Sequence, residues 1–428
     1  MCDGEQLRAD ADVTVLARLA AAEDIDAWLV GGCVRDALLG VAGNDVDVAC
    51  AHGVRDLAYA FAAAVDGSCF SLDKQRGYFR VVGRARRQVQ FDFAPLQGRD
   101  IEADLLRRDF TINAMALPLV PGMAAPLFDP LGGVDDLRQR RLRMCSGASF
   151  VEDPARILKG IRHVAQFDLR PQNETVAAFA RCAPLLNNVS GERLREELRK
   201  LFSCDDIAVA LRHLFDNGVA AAMGLTAAAE TVVAACAAVD EHLRQMVAAA
   251  PTLADEVQRR CGDSFSVAAA LRLAAMLRCC TDTEGAVVAF IRRLHCKRTL
   301  AQLLEFYAKA PAHLGRQLAR LACGERGRLL WLQHLGMPLP EGLFALLLTA
   351  DAALPGTVVE LYDGWKRCAV DGRIMPLLCA AYVEQYCSGC RGASLGEFYR
   401  HLFQAEIDGT VSDDAQARAF LRHWCESR

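Results

Sequence analysis

The chain of 428 residues is 53% hydrophobic and 24% charged, with 32 glycines and 14 prolines, which excludes a disordered or collagenous protein and points to two to four packed units. Its 49 Lys and Arg stand against 53 Asp and Glu, a net charge of −4, so a polyanionic partner has to bind local patches rather than an overall basic field. The N-terminal stretch has no apolar leader core and no long apolar run escapes a charge or proline, so no membrane span is expected, and the 18 cysteines read as thiols of a reducing, cytoplasmic compartment.

In chain order, the first signals are short β-branched runs: one ending Leu29-Val30, then Val46 to Val48, Phe79 to Val82 and Val89 to Phe93. They are mixed with helical spacing up to about residue 145. From Asp153 onward apolar residues recur at helical intervals, as in Leu194, Leu198, Leu201 and Phe202, or Leu271, Leu273, Met276 and Leu277. The reading is an α/β head followed by an all-helical remainder. The one CxxC, Cys387 to Cys390, lacks a second pair or a histidine cluster, and ordinary reduced thiols are expected there.

The segment Leu29-Val30-Gly31-Gly32-Cys33-Val34-Arg35-Asp36 reads as strand, glycine turn and helix. Such a turn lets backbone N–H groups approach a phosphate at a helix N-terminus, and Arg35 adds a charged fork. Glycine turns before helices are common, so the turn alone does not identify a phosphate site. Next comes Asn44-Asp45-Val46-Asp47-Val48. Residues i and i+2 of a strand share a face, so Asp45 and Asp47 project together while Val46 and Val48 face the core. Two carboxylates on one edge repel each other unless a cation lies between them, the arrangement a Mg²⁺ site for phosphate chemistry needs. Asp92, a charge in an apolar strand, is either a third carboxylate beside them or an exposed-face aspartate.

Five ordered motifs make the resemblance specific: the Gly31 to Asp36 turn with Asp45-Val46-Asp47; Arg107-Arg108-Asp109-Phe110-Thr111-Ile112-Asn113; Asp129-Pro130-Leu131-Gly132-Gly133-Val134-Asp135-Asp136-Leu137; Glu152-Asp153-Pro154-Ala155-Arg156; and Glu192-Arg193-Leu194-Arg195-Glu196-Glu197-Leu198. The chain resembles the bacterial and eukaryotic class of tRNA nucleotidyltransferases and poly(A) polymerases over residues 27–200. Beyond 200 the likeness is in helical character and length only. The resemblance implies a polymerase β-like α+β head with a mixed sheet and an all-α C-terminal region. The expected division is a catalytic head (1–145), a helical neck (146–222), a body (223–330) and an RNA-contacting tail (331–428). It further implies metal binding by Asp45 and Asp47, triphosphate binding by Gly32 and Arg35, nucleotide binding by Arg108, and a place near the ribose for Asp109 and Asn113.

Asp153 and Arg156 lie at i and i+3, on one helix face. An ionised aspartate only accepts hydrogen bonds and an arginine only donates. Cytosine and adenine each present an amino donor beside a ring-nitrogen acceptor, whereas uracil and guanine present a carbonyl beside an N–H. The pair therefore suits C and A, so that side chains act as the template. Lys159 and Arg162 continue the stripe and are expected to contact the nucleotide. The family usually carries arginine at the position of Lys159 and often lysine at that of Asn44; lysine keeps the charge at 159 but loses the bidentate fork.

The expected reaction is attack of an RNA 3′-hydroxyl on the α-phosphate of CTP or ATP. The alternatives are a poly(A) polymerase and, in another class, a non-catalytic RNA-binding protein. The stretch Leu72-Asp73-Lys74-Gln75-Arg76-Gly77 and the end of the chain lack the basic signatures of poly(A) polymerases, and the long helical region disfavours transfer to a small molecule. Lys74 and Arg76 are expected in a flexible loop. Three basic clusters are candidates for tRNA phosphates: Arg84, Arg86 and Arg87; Arg138, Arg140, Arg141 and Arg143; and Arg193, Arg195, Arg199 and Lys200. No protein partner and no added phosphohydrolase domain are expected.

Overall fold

The computed structural model describes residues 7, 9–41, 43–84, 89–122, 125–280, 284–309, 314–337, 339–348, 354–370, 373–387 and 390–427. Arg86 and Arg87 lie outside them. The chain divides into two compact units, Met1–Val189 with Asn217–Val219, and Ser190–Asp216 with Ala220–Arg428.

The first unit opens with helix α1 (Ala11–Ala22), capped by the Asp10 carboxylate, which accepts from the N–H of Asp12. A six-stranded sheet follows. Its strands are β1 (Ala27–Val30), β2 (Asp45–Cys50), β3 (Ser68–Asp73), β4 (Tyr78–Val82), β5 (Gln90–Pro95) and β6 (Ala116–Pro118), in spatial order β3-β4-β5-β2-β1-β6. Only β2 and β5 run parallel; the other neighbours are antiparallel. The four runs expected as strands are β1, β2, β4 and β5. One face is sealed by helix α3 (Val54–Ala64), whose Phe61 packs edge-on to Phe91 and tilted against Phe93. Along β2, Val46 and Val48 point into that core while Asp45 is exposed and Asp47 half-buried on the other face.

Helix α2 (Gly32–Leu39) starts directly after β1, and helix α4 (Ile101–Leu106) precedes the Arg107-Arg108 motif. Residues 74–77, where a flexible loop is expected, form a tight turn between β3 and β4: Asp73 accepts from the N–H of Gln75 and of Arg76. Helix α5 (Gly133–Arg138) is tied down by Asp129, which accepts from the N–H of Gly133 and Val134. Asp136, fully buried on α5, accepts from Thr111 and pairs with Arg141 and Arg143. Arg138 pairs with Asp135, and Arg140 with Asp168. Each arginine of the second basic cluster thus has a carboxylate partner within the fold, Asp136 serving two of the four.

After a short turn of helix at Ser149–Glu152, Asp153 is in extended backbone, outside the helix face it was expected to share with Arg156, and α6 (Ala155–Phe167), which carries Arg156, follows. Gly160 explains how α6 approaches its neighbours so closely. A Cβ there would lie 2.5 Å from Phe110 and 2.7 Å from Phe179, inside the aromatic cluster they form with Phe150.

The second unit is helical. Val267–Cys279 is its central helix, with every residue from Val267 to Leu277 buried except Arg272. Two two-stranded ladders interrupt the helices, Arg260–Gly262 with Phe265–Ser266 and Ala369–Val370 with Arg373–Ile374. The first turns through Asp263 and Ser264, both at positive φ, a conformation that this residue pair does not advertise as Asn-Gly would. The third basic cluster has structural partners: Arg195 donates to the carbonyls of Leu294 and His295, Arg199 pairs with Glu196, and Lys200 lies between Glu196 and Glu197. Near the C-terminus, Cys390 packs in a core with Phe398, Leu402 and Leu421. The 17 described cysteines are free thiols.

Candidate active site

The site is built where β1 hands over to α2. Gly31 sits at φ +78°, a backbone conformation that side chains disfavour. A Cβ there would stand 3.0 Å from both Arg108 Nη1 and Asp47 Oδ2, so the missing side chain leaves open the space that arginine and carboxylate flank. Gly31→Ala is therefore expected to push both groups aside, lowering kcat/KM about a hundredfold, with a stability loss of about 1–2 kcal/mol from the strained φ. Steady-state kinetics beside a thermal melt check this.

Arg108 is aimed by Asp104, one helical turn earlier, whose Oδ2 accepts from Nε at 3.0 Å and Nη2 at 2.9 Å. Asp104 is buried, which fixes the pair. Burial pushes the Asp47 carboxyl above the ordinary carboxylate range; Arg108 opposes the shift, while Asp92 and Asp45 add to it. Asp92 is in register with Asp47 across β2 and β5, but Arg80 on β4 holds both of its oxygens at 2.7 Å. Among the described residues no group of three His, Cys, Asp or Glu side chains is placed to hold a metal ion. Asp45 and Asp47 remain as a pair of hard oxygen donors with an excess of negative charge between them. That suits a small divalent cation, which typically takes one or two carboxylates and completes its shell with water and substrate phosphates.

Behind this pair lies a buried polar chain. Arg35 is only 6% exposed and turned inward: Nη1 donates to Asn113 Oδ1 at 2.5 Å, Nε to Asp36 at 2.9 Å, and the guanidinium lies 4.3 Å from the Phe167 ring centre. Asn113 Nδ2 donates to Asp109 Oδ1 at 3.0 Å and lies 3.4 Å from His163 Nε2. Lys159 Nζ stands 2.5 Å from the other Asp109 oxygen. Arg162 is buried and donates to Gln166 at 2.6 Å. Burial alone would raise the Asp109 carboxyl, but Lys159 and the hydrogen bond from Asn113 outweigh it and hold it well below the usual range. Burial, with Arg162, Arg35 and Lys159 around it, drives His163 well below its ordinary value.

These shifts fix the sign of the pH dependence. Asp109 contributes stability that is complete above its unfolded value of 3.8 and is lost as pH falls toward the folded one. His163 refuses in the fold a proton that the unfolded chain accepts below 6.5, so stability also declines as pH drops through that value. His163→Phe is expected to flatten the decline between about pH 6.5 and 5. Lys159→Met leaves Asp109 buried without its cation and is expected to cost about 2–4 kcal/mol in urea denaturation at pH 7, the partial exposure of Lys159 tempering the figure. Asp109→Asn added to Lys159→Met should recover most of that loss.

Arg156 lies in the first turn of α6 and Asp153 just ahead of it in extended backbone, both partly exposed, 3.7 Å apart. Arg156 Nη1 donates to the carbonyl oxygens of Arg107 at 3.0 Å and Ser149 at 3.2 Å. Ser149 Oγ in turn donates to the carbonyl of Arg108. Asp153, Arg156 and Arg108 are thus linked through two side chains, although 45 residues separate Arg108 from Asp153 in sequence. The sequence reading missed Gly31 as the residue of closest approach, and also Asp104, Arg80 and His163. Asp104 had a signal in its i, i+4 spacing to Arg108; Arg80 and His163 had none without the tertiary fold.

A strand-borne carboxylate facing a fixed arginine across a glycine turn, on a mixed sheet backed by helices, defines the nucleotidyltransferase class. Residues 27–143 match the family described as the poly A polymerase head domain, and residues 168–224 that described as a probable RNA and SrmB-binding site of polymerase A. The chain is 36% identical over 345 residues to a CC-adding tRNA nucleotidyltransferase of Geobacter sulfurreducens, covering 79% of this chain and 75% of that one. It is 44% identical over 191 residues to an A-adding tRNA nucleotidyltransferase of Deinococcus radiodurans, covering 42% of this chain and 41% of the relative. A solved CCA-adding enzyme in its apo form shares the fold at a TM-score of 0.72 and 21% identity, covering 98% of this chain and 97% of that chain. The chain belongs to the family of tRNA nucleotidyltransferases and poly(A) polymerases.

Proposed function

We propose that this chain adds C, A or both to the 3′ end of tRNA, taking them from CTP and ATP without a nucleic-acid template and releasing pyrophosphate. The observation that carries the reading is Asp47 and Arg108 flanking Gly31, with the Asp153 and Arg156 pair linked through Ser149 to the backbone carbonyl of the same arginine. Asp45 and Asp47 would hold a divalent cation, Mg²⁺ in this reading. Bound there, it lowers the pKa of the attacking hydroxyl and neutralises charge developing on the leaving group. Arg108, kept in place by Asp104, supplies positive charge beside Asp47 for the triphosphate. Gly32 opens α2 and leaves backbone N–H groups there for phosphate oxygens. Asp153 accepts from the amino group of cytosine or adenine and Arg156 donates to the neighbouring ring nitrogen.

Arg35, Lys159 and Arg162 serve the nucleotide through the walls of its site. Arg35 orients Asn113, Lys159 orients Asp109, and Arg162 is anchored on Gln166. Residues 1–145 are the catalytic head, 146–222 the neck, 223–330 the body and 331–428 an RNA-contacting tail. Among the described residues no helix is long and apolar enough to cross a membrane. A place in the cytoplasm, where tRNA, CTP and ATP meet, fits this reading.

The test is incubation with tRNA lacking its 3′ end and with CTP and ATP, singly and together, followed by sequencing of the added nucleotides. One to three added residues, confined to C and A, are expected. A long A tract on unrelated RNA would favour poly(A) polymerase instead, and no incorporation at all would favour a non-catalytic RNA-binding protein.

A further inference from the structure

The row of side chains that contains Asp47 does not end at Asp92. Register pairs Asp47 with Asp92, Asp92 with Arg80, and Arg80 with Phe70 on β3. Residues directly opposite one another in neighbouring strands point to the same face, and the Arg80–Asp92 ion pair bears this out for two of the four. α3 covers the opposite face through Phe61. Phe70 thus stands on the face of the sheet that carries Asp47, three strand spacings away, or about 14 Å.

Phe70 is 53% exposed on the edge strand, and Leu72 beside it is 52% exposed. No other phenylalanine among the described residues is exposed to this degree. An apolar pair on a sheet edge is a liability for a protein unless something covers it. Its surroundings say what does. On the β1 side of Asp47 lie Gly31 and Arg108, linked to Asp153 and Arg156, the flank proposed above for the incoming nucleotide. In-line displacement needs the attacking group to approach from away from the leaving group. The β5, β4 and β3 side is therefore the flank left for the acceptor strand.

We propose that Phe70 is a stacking platform for an unpaired base at the 3′ end of the acceptor RNA. Every base presents a π-face, so such a platform holds the acceptor whether its last base is the discriminator or a newly added C. The proposal rests on the nucleotidyl-transfer reading and extends it to the second substrate.

The test uses the full chain with Phe70→Ala, Phe70→Leu and Phe70→Tyr, and tRNA carrying 2-aminopurine at its 3′-terminal position. Binding without nucleotide is expected to change the fluorescence of that base through stacking in the unsubstituted protein and Phe70→Tyr, and to leave it near its unbound value in Phe70→Ala and Phe70→Leu. In steady state Phe70→Ala is expected to raise KM for tRNA about tenfold, the loss of one base–aromatic stack, with KM for CTP and ATP unchanged. An unchanged tRNA KM and fluorescence in Phe70→Ala would overturn the proposal. So would Phe70→Leu behaving like Phe70→Tyr, which would make the patch a generic apolar contact. If the unsubstituted protein transfers no nucleotide, the transfer reading fails while the fluorescence titration still decides Phe70.

Discussion

Asp47→Ala is expected to lower nucleotide incorporation by at least about a thousandfold while the protein remains folded. The size of the effect follows from what the proposed site asks of this carboxylate. Together with Asp45 it would form the protein's share of the cation site, because Asp92, the remaining carboxylate of the row, is engaged by Arg80 on both oxygens. No described third ligand stands ready to substitute. Fold integrity is expected because Val46 and Val48, the residues of β2 that face the core, are untouched. Asp47→Asn separates charge from shape: it keeps the volume beside Gly31 and is expected to be as inactive as the alanine variant. Asp45→Ala, at an exposed position, is expected to lose activity with no change in melting temperature. Turnover within tenfold of the unsubstituted protein in either alanine variant would remove the carboxylate pair from the mechanism.

Much of this site is readable from the sequence because its parts are local. The two aspartates of β2 share a face by the period of a strand, and Asp153 and Arg156 come within 3.7 Å, although Asp153 precedes α6 in extended backbone and the expected shared helix face is not what joins them. The parts that escaped the sequence are contacts between distant segments. Arg35 follows a glycine turn and so reads as a phosphate ligand, but Asn113, 78 residues away, takes its guanidinium. Asp92 reads equally well as a third carboxylate or as a surface residue until the antiparallel register of β4 and β5 brings Arg80 opposite it. The arginines between 138 and 143 look like a phosphate patch in one dimension, but in three they pair with Asp135, Asp136 and Asp168, which offset most of their charge. Hydrophobic period located the strands with buried valines and phenylalanines. It missed β3, whose pattern is mostly exposed because it forms the edge.

Asp153→Ala is expected to cut the preference for C and A over U and G by about a hundredfold, while the rate with CTP or ATP falls less. The asymmetry comes from which half of the reader is lost. In the proposed site Asp153 is the acceptor that meets the amino group of cytosine or adenine, and it is also the group that faces the carbonyl oxygen of uracil or guanine with like polarity. Its removal costs the correct bases one hydrogen bond but relieves the incorrect ones of a repulsion, so exclusion suffers more than binding. Arg156 is held by the carbonyl oxygens of Arg107 and Ser149 and keeps its place when Asp153 is gone. Left alone, its N–H groups serve the carbonyl of uracil as readily as the ring nitrogen of cytosine. Arg156→Ala should therefore behave differently, weakening all four nucleotides without admitting U and G in particular. The 3.7 Å ion pair is partly exposed and contributes no more than about 1 kcal/mol of stability, so Arg156→Ala, which also gives up the donations to Arg107 and Ser149, is expected to be the more destabilising of the two. Single-nucleotide incorporation with each of the four triphosphates gives the ratio directly. An unchanged ratio in Asp153→Ala would mean that the base is read by other residues.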